Sequence, residues 1–197
     1  MEKRELKQSA KKGISLQDLL LTAVLLAAGA VLKFFVGSFV NIAGMKPNFI
    51  IAMYCMAIVL IQPKIYYSLI IGILAGAICQ FFPGTPFLNF ASEFAGALAM
   101  GLFVLIPIKS KGAKIGLSAV YTFVSTVISG GLYTVLLFVL IKSDPSAIKA
   151  YVPIVLSTAT LNAIIVGTLY FPLMKVLKKE IVASEEAEKV DAPAQSE

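Results

Sequence analysis

The chain has 197 residues, of which 58% are hydrophobic and only 14% charged, and its mean hydropathy is +0.88. Soluble domains carry about 25% charged residues, and the apolar residues here run in blocks longer than a soluble core needs, so the sequence reads as an integral membrane protein. That excludes a soluble enzyme, a DNA-binding domain and a disulfide-stapled secreted module. The absence of His removes His-based triads and His metal sites. Cys55 and Cys79 fall in two separate apolar runs, too few for a thiolate zinc site, and read as small core thiols. No metal is expected. A net charge of +6 would suggest nucleic acid in a soluble protein. Here the basic residues flank apolar segments, which is a topology signal, so no nucleic-acid partner is expected.

In chain order, residues 1–15 form a basic, cytoplasmic N-terminus. Apolar runs follow at about 16–36, 48–62, 65–81, 88–106, 115–141 and 153–177. The first is too long for a signal-peptide core and more membrane segments follow, so it reads as a helix. Gly, Asn and Pro mark the loop after it, Gln62-Pro63-Lys64 makes a short turn, and Phe82-Pro83-Gly84-Thr85-Pro86 breaks the third run. A basic turn at 107–114 and a polar loop at 142–152 separate the remainder. The expectation is an all-α domain of six transmembrane helices over 16–177, with a charged tail over 178–197 that reads as disordered past about 185. Runs two and three would be only roughly 22–26 Å long as helices, so they span only if the bilayer thins or the bundle shields them. With both termini inside, thirteen of the seventeen Lys and Arg lie on the inner side, and Lys33, Lys46, Lys142 and Lys149 lie outside. That split places both termini in the cytoplasm of a multi-pass plasma-membrane protein.

Polar groups inside a membrane are costly and mark function. Glu93 is the one acidic residue well within an apolar run, ~7.5 Å below the outer end of helix 4. Asn162 lies ~13 Å and Tyr133 ~12 Å below the outer ends of helices 6 and 5, and Asn89 lies at the outer mouth of helix 4. Two readings are open: a polar cavity facing outward, or scattered helix–helix hydrogen bonds. Ten of the thirteen Phe map to the outer half, Phe87 and Phe90 among them, which suits an aromatic-lined outer cavity or plain lipid contact. Lys46 and Asn48, in Gly44-Met45-Lys46-Pro47-Asn48-Phe49, stand beside it at the start of helix 2, where free amides favour an anion. A ligand carboxylate there and an ammonium on Glu93 would suit a zwitterionic amino acid, although Lys46 is also placed to meet a lipid headgroup. Small residues mark packing faces: Ala23 and Ala27 in helix 1, Gly72 and Gly76 in helix 3, and Ala91, Ala95 and Ala99 in helix 4.

These features resemble the S components of energy-coupling-factor (ECF) vitamin transporters, the membrane subunits that bind substrate. The resemblance rests on six helices with both ends inside, Ala23-x-x-x-Ala27 and a loop after helix 1. More narrowly, GMKPNF followed by FPGTPFLNFASEFAGAL is similar to the bacterial tryptophan-transporter family, which is grouped with them, over roughly 16–177. Members of that family often carry Asp where this chain has Asn48, and the changed charge bears on the ligand. The resemblance implies a high-affinity subunit that captures a small molecule, tryptophan above all, from outside. It would then associate, through Ala23 and Ala27, with a T-component membrane protein and two cytoplasmic ATPases, whose ATP hydrolysis tips it to release substrate inside. The chain needs no cofactor of its own in this scheme and has no Walker A sequence. It is not expected to be an enzyme, since no Ser–His pair, paired catalytic carboxylates or metal cluster is legible. The alternatives are a stand-alone proton- or sodium-coupled transporter, which Glu93 would have to serve, and a non-transport membrane scaffold.

Overall fold

A computed structural model describes residues 14–39, 46–108, 111–142, 146 and 148–191. The expected segment 1–13, the loop positions 40–45 and the last residues of the tail lie outside them. The described residues form six α-helices and no strand: α1 (Leu16–Phe39), α2 (Ile50–Ile61), α3 (Ile65–Cys79), α4 (Leu88–Phe103), α5 (Lys111–Leu140) and α6 (Ile148–Asp191). Each of the six apolar runs corresponds to one helix, and α1, α5 and α6 extend beyond their runs. The last helix begins before Pro153 and continues past Leu177 to Asp191, with Pro153 and Pro172 inside it.

Local chemistry explains the boundaries. Ser15 and Asp18 cap α1 reciprocally: the Asp18 amide donates to Ser15 Oγ at 3.1 Å, and the Ser15 amide donates to Asp18 Oδ2 at 3.0 Å. α2 stops at Gln62, whose left-handed backbone (φ 49°, ψ 54°) turns its amide back onto the Ile58 carbonyl at 2.8 Å, and Pro63 forbids continuation. Between α3 and α4, Pro83, Gly84 and Pro86 carry the chain through a turn that ends on Phe87, held at φ 67°.

Three helices contain segments long and apolar enough to cross a membrane: Leu16–Val36, Gly112–Leu140 and Ile148–Leu177. The other three are shorter. α2 has 12 residues, or ~18 Å, well under the ~30 Å of a hydrocarbon core. It packs against all five other helices, and every residue from Ile50 to Val59 is buried. Its backbone is satisfied internally and its surface meets protein, so it need not match the bilayer.

α3 and α4 pack through small residues. A Cβ on Gly72 would lie 2.7 Å from Ala97 Cβ and 2.8 Å from the Glu93 carbonyl, so only glycine permits this approach. On α4 the buried small residues are Gly96, Ala97 and Gly101, while Ala91 is exposed. α1, α3 and α5 finish, and α2, α4 and α6 begin, at one end of the bundle.

Candidate functional site

At that end five of the residues singled out in the sequence line one cavity of about 70 Å³: Lys46, Asn48, Asn89, Glu93 and Tyr133. Glu93 is its centre. Leu88, Ser92, Glu93, Gly96, Ala97 and Met100 form the inward stripe of α4, so helical periodicity alone turns the carboxylate into the bundle. It is 1% exposed. Oε1 accepts from Asn48 Nδ2, and Oε2 accepts from Ser129 Oγ of α5 at 3.2 Å. The Tyr54 hydroxyl of α2 lies near enough to interact with both Glu93 and Ser129, yet it forms no hydrogen bond to the described residues. A Cβ on Gly96 would collide with that hydroxyl, so this glycine makes its place.

The structure adds a cation to this cavity, Lys33, which charge counting alone places only on the outer side. Lys33 is 8% exposed, with Nζ 3.2 Å from Cys79 Sγ and 5.1 Å from the centre of the Phe82 ring. Cys79 Sγ is in turn 4.0 Å from Glu93 Oε1 and 3.7 Å from Asn48 Nδ2. Cys79 therefore stands between a buried cation and a buried carboxylate, whereas Cys55 lies in the apolar core. Lys33 continues the buried α1 stripe of Thr22, Leu25, Leu26 and Gly29. Extending that spacing by one turn is the signal that would have found it.

Asn162 does not line the cavity. Fully buried on α6, it donates through Nδ2 to the Asn48 carbonyl at 3.1 Å and to Thr126 Oγ1 at 3.3 Å, and so it holds the segment entering α2 in place. Tyr133 is at the roof, where its hydroxyl accepts from the Thr85 amide at 3.3 Å, and Pro83 and Gly84 of the same turn complete the lining. Phe87 and Phe90 are not in the lining. They stack on each other with centroids 6.4 Å apart, and Phe87 is exposed. Phe34, Phe35, Phe39 and Phe81 are likewise exposed, placed where lipid would meet them. Ala23 and Ala27 lie on the exposed face of α1, away from this site.

Six apolar helices, three of them long enough to cross a membrane, enclose a small cavity that presents both signs of charge: the fold is that of a helical membrane protein. A family model for the tryptophan transporter TrpP matches residues 15–178, and the chain belongs to that family. It is 28% identical over 167 residues to the "Probable tryptophan transport protein" of Bacillus subtilis (strain 168), covering 83% of this chain and 94% of that one. No solved structure matches it.

Proposed function

We propose that this chain is the substrate-binding subunit of an ECF-type importer in a prokaryotic plasma membrane, and that it captures tryptophan from outside at the Glu93 cavity. The observation that carries the reading is the convergence of Lys33, Lys46 and Glu93 on one space. Glu93, with Asn48 and Ser129, takes the substrate ammonium, and Lys33 and Lys46 take its carboxylate. The cavity of about 70 Å³ is below the ~300 Å³ at which small-molecule pockets begin. Entry therefore opens the 82–87 turn, which the Thr85–Tyr133 bond holds down, and the amino acid's polar end then replaces contacts that the protein makes with itself. The exposed Ala23 and Ala27 are the face offered to the T component, whose partner ATPases supply the ATP hydrolysis. Both termini lie in the cytoplasm, and the chain itself carries no cofactor.

The chain contains no Trp, so ligand fluorescence can be read without background. Titrating purified protein with L-tryptophan, excited where tyrosine absorbs little, should give a saturable change that unlabelled analogues compete away. No response would discard tryptophan as the ligand. Uptake into vesicles holding this chain alone would discard the need for ATPase partners.

A further inference from the structure

The opposite end of the bundle holds a second cavity, of about 260 Å³, formed where α2 and α4 finish and α5 begins. Gln62, Lys114, Ser118, Tyr121 and Tyr170 bring polar groups to it, and Val59 and Val104 give it apolar walls. None of these residues belongs to the Glu93 site. Tyr170 is 3% exposed, yet its hydroxyl makes no hydrogen bond to the described residues and is not sealed within the core, so it opens on this cavity. Tyr121 stacks on Phe103 at 4.8 Å and 15°, which gives the site one flat aromatic side. Gln62 stands at its rim on the left-handed backbone that ends α2, a conformation non-glycine residues rarely adopt.

The second cavity carries a cation and neutral polar groups, with no carboxylate among the described residues that line it. Lys114 is a cation and Tyr170 a donor, which together suit a carboxylate. Ser118 Oγ already donates to the Lys114 carbonyl, which leaves its oxygen as an acceptor, and the Gln62 side chain offers another. These suit an ammonium. A row of hydroxyl side chains runs from one cavity to the other. Ser118, Thr122, Ser125, Thr126 and Ser129 form one buried face of α5, with Ser118 in the second cavity and Ser129 in the first. Along this seam the Ser125 and Tyr54 hydroxyls have no partner among the described residues.

We propose that the Lys114–Tyr170 cavity is a second ligand site, which takes a zwitterionic aromatic amino acid from the side of the membrane opposite the Glu93 cavity. The inference rests on the tryptophan reading above. It makes the delivered substrate a ligand of the chain that delivered it, so that internal tryptophan occupies the protein at its own inner end.

Equilibrium dialysis of the full chain in detergent against radiolabelled L-tryptophan tests this. The expected result is two tryptophans per chain. Lys114→Ala should weaken one of them about tenfold or more, and Tyr170→Phe, which keeps the ring packed, should weaken the same one by up to about tenfold. Both variants should leave the other site at wild-type affinity, and Glu93→Gln should do the reverse. A single tryptophan per chain, lost in Glu93→Gln and indifferent to Lys114 and Tyr170, would overturn the second site and leave the first standing. No tryptophan bound at all would overturn both. A tightly retained phospholipid, found by mass spectrometry of the wild type and lost in Lys114→Ala, would make the cavity a headgroup site and overturn the proposal.

Discussion

α1 and α2 pack against each other yet occupy opposite environments. α2 is enclosed from Ile50 to Val59, while α1 leaves Leu16, Leu19, Leu20, Val24, Val31, Phe34 and Phe35 exposed. Each is apolar, so composition alone does not separate them. Length does: the 24 residues of α1 give ~36 Å, enough to meet a bilayer, whereas α2 at ~18 Å must be shielded by its neighbours. The difference divides the work. The enclosed helix brings Ile51 to the cavity and Asn48 in the segment that leads into it, and the exposed one offers a surface to lipid or to another protein. Only its inward stripe, ending in Lys33, reaches the cavity.

If the enclosed region is as tightly packed as its burial implies, bulk added there should be the most damaging change in the molecule. In Gly72→Leu the new side chain meets Ala97 and the Glu93 carbonyl within van der Waals distance. Helix α4 must then move away from α3, carrying Glu93 with it. A loss of about 3 kcal/mol is expected, seen as a lower midpoint in thermal unfolding followed by circular dichroism, together with loss of tryptophan binding. An unchanged midpoint would mean that the seam between α3 and α4 is looser than the structure shows.

Glu93→Ala comes next. It leaves Asn48 Nδ2 and Ser129 Oγ without their acceptor and removes the counter-charge to a bound ammonium. Binding should weaken by about 1.5–3 kcal/mol, measured by the same fluorescence titration. Unchanged affinity would take Glu93 out of the site and with it the assignment of the cavity.

The two cysteines sharpen the contrast between cavity and core at smaller cost. Cys79 borders the cavity and Cys55 does not. With Cys55→Ala, a small thiol reagent should label Cys79 slowly, and tryptophan should slow the reaction further. With Cys79→Ala, Cys55 should stay unlabelled until the protein unfolds. Equal labelling of the two would show that the cavity gives no privileged access.

How much of this was legible in the sequence follows from what a single helix can encode. Six apolar runs separated by Pro and Gly located six helices, and Glu93 was conspicuous as an acid in an apolar stretch. Lys33 was not, because a lysine near a helix end ordinarily points to solvent. Its burial depends on α3 presenting Cys79 beside it and on Phe82 beyond. Asn162 looked like a lining residue from depth alone, but its role against the Asn48 carbonyl depends on how α6 meets the start of α2. The abundant Phe suggested cavity walls, yet exposure to lipid satisfies an aromatic ring equally well, and composition does not tell the two faces of a membrane helix apart. The sixth apolar run starts at about 153, but α6 begins about a turn earlier, at Ile148, and takes in Pro153, whose missing amide costs one hydrogen bond near the helix end.

The smallest effect on the isolated protein should come from α1, and for that reason it is the most informative about partners. Ala23 and Ala27 are exposed, so Ala23→Leu and Ala27→Leu add apolar bulk where it meets no other helix. Stability should shift by no more than about 0.5 kcal/mol, and tryptophan affinity should not change. Uptake by cells is another matter. Close helix–helix approach in a membrane needs small residues on both sides, and one leucine on such a face keeps the partner backbone at a distance. If α1 is the docking face, both variants should bind tryptophan normally in detergent and fail to accumulate it in cells. Normal accumulation would show that this stripe meets lipid alone, and that any partner subunit docks on another part of the bundle.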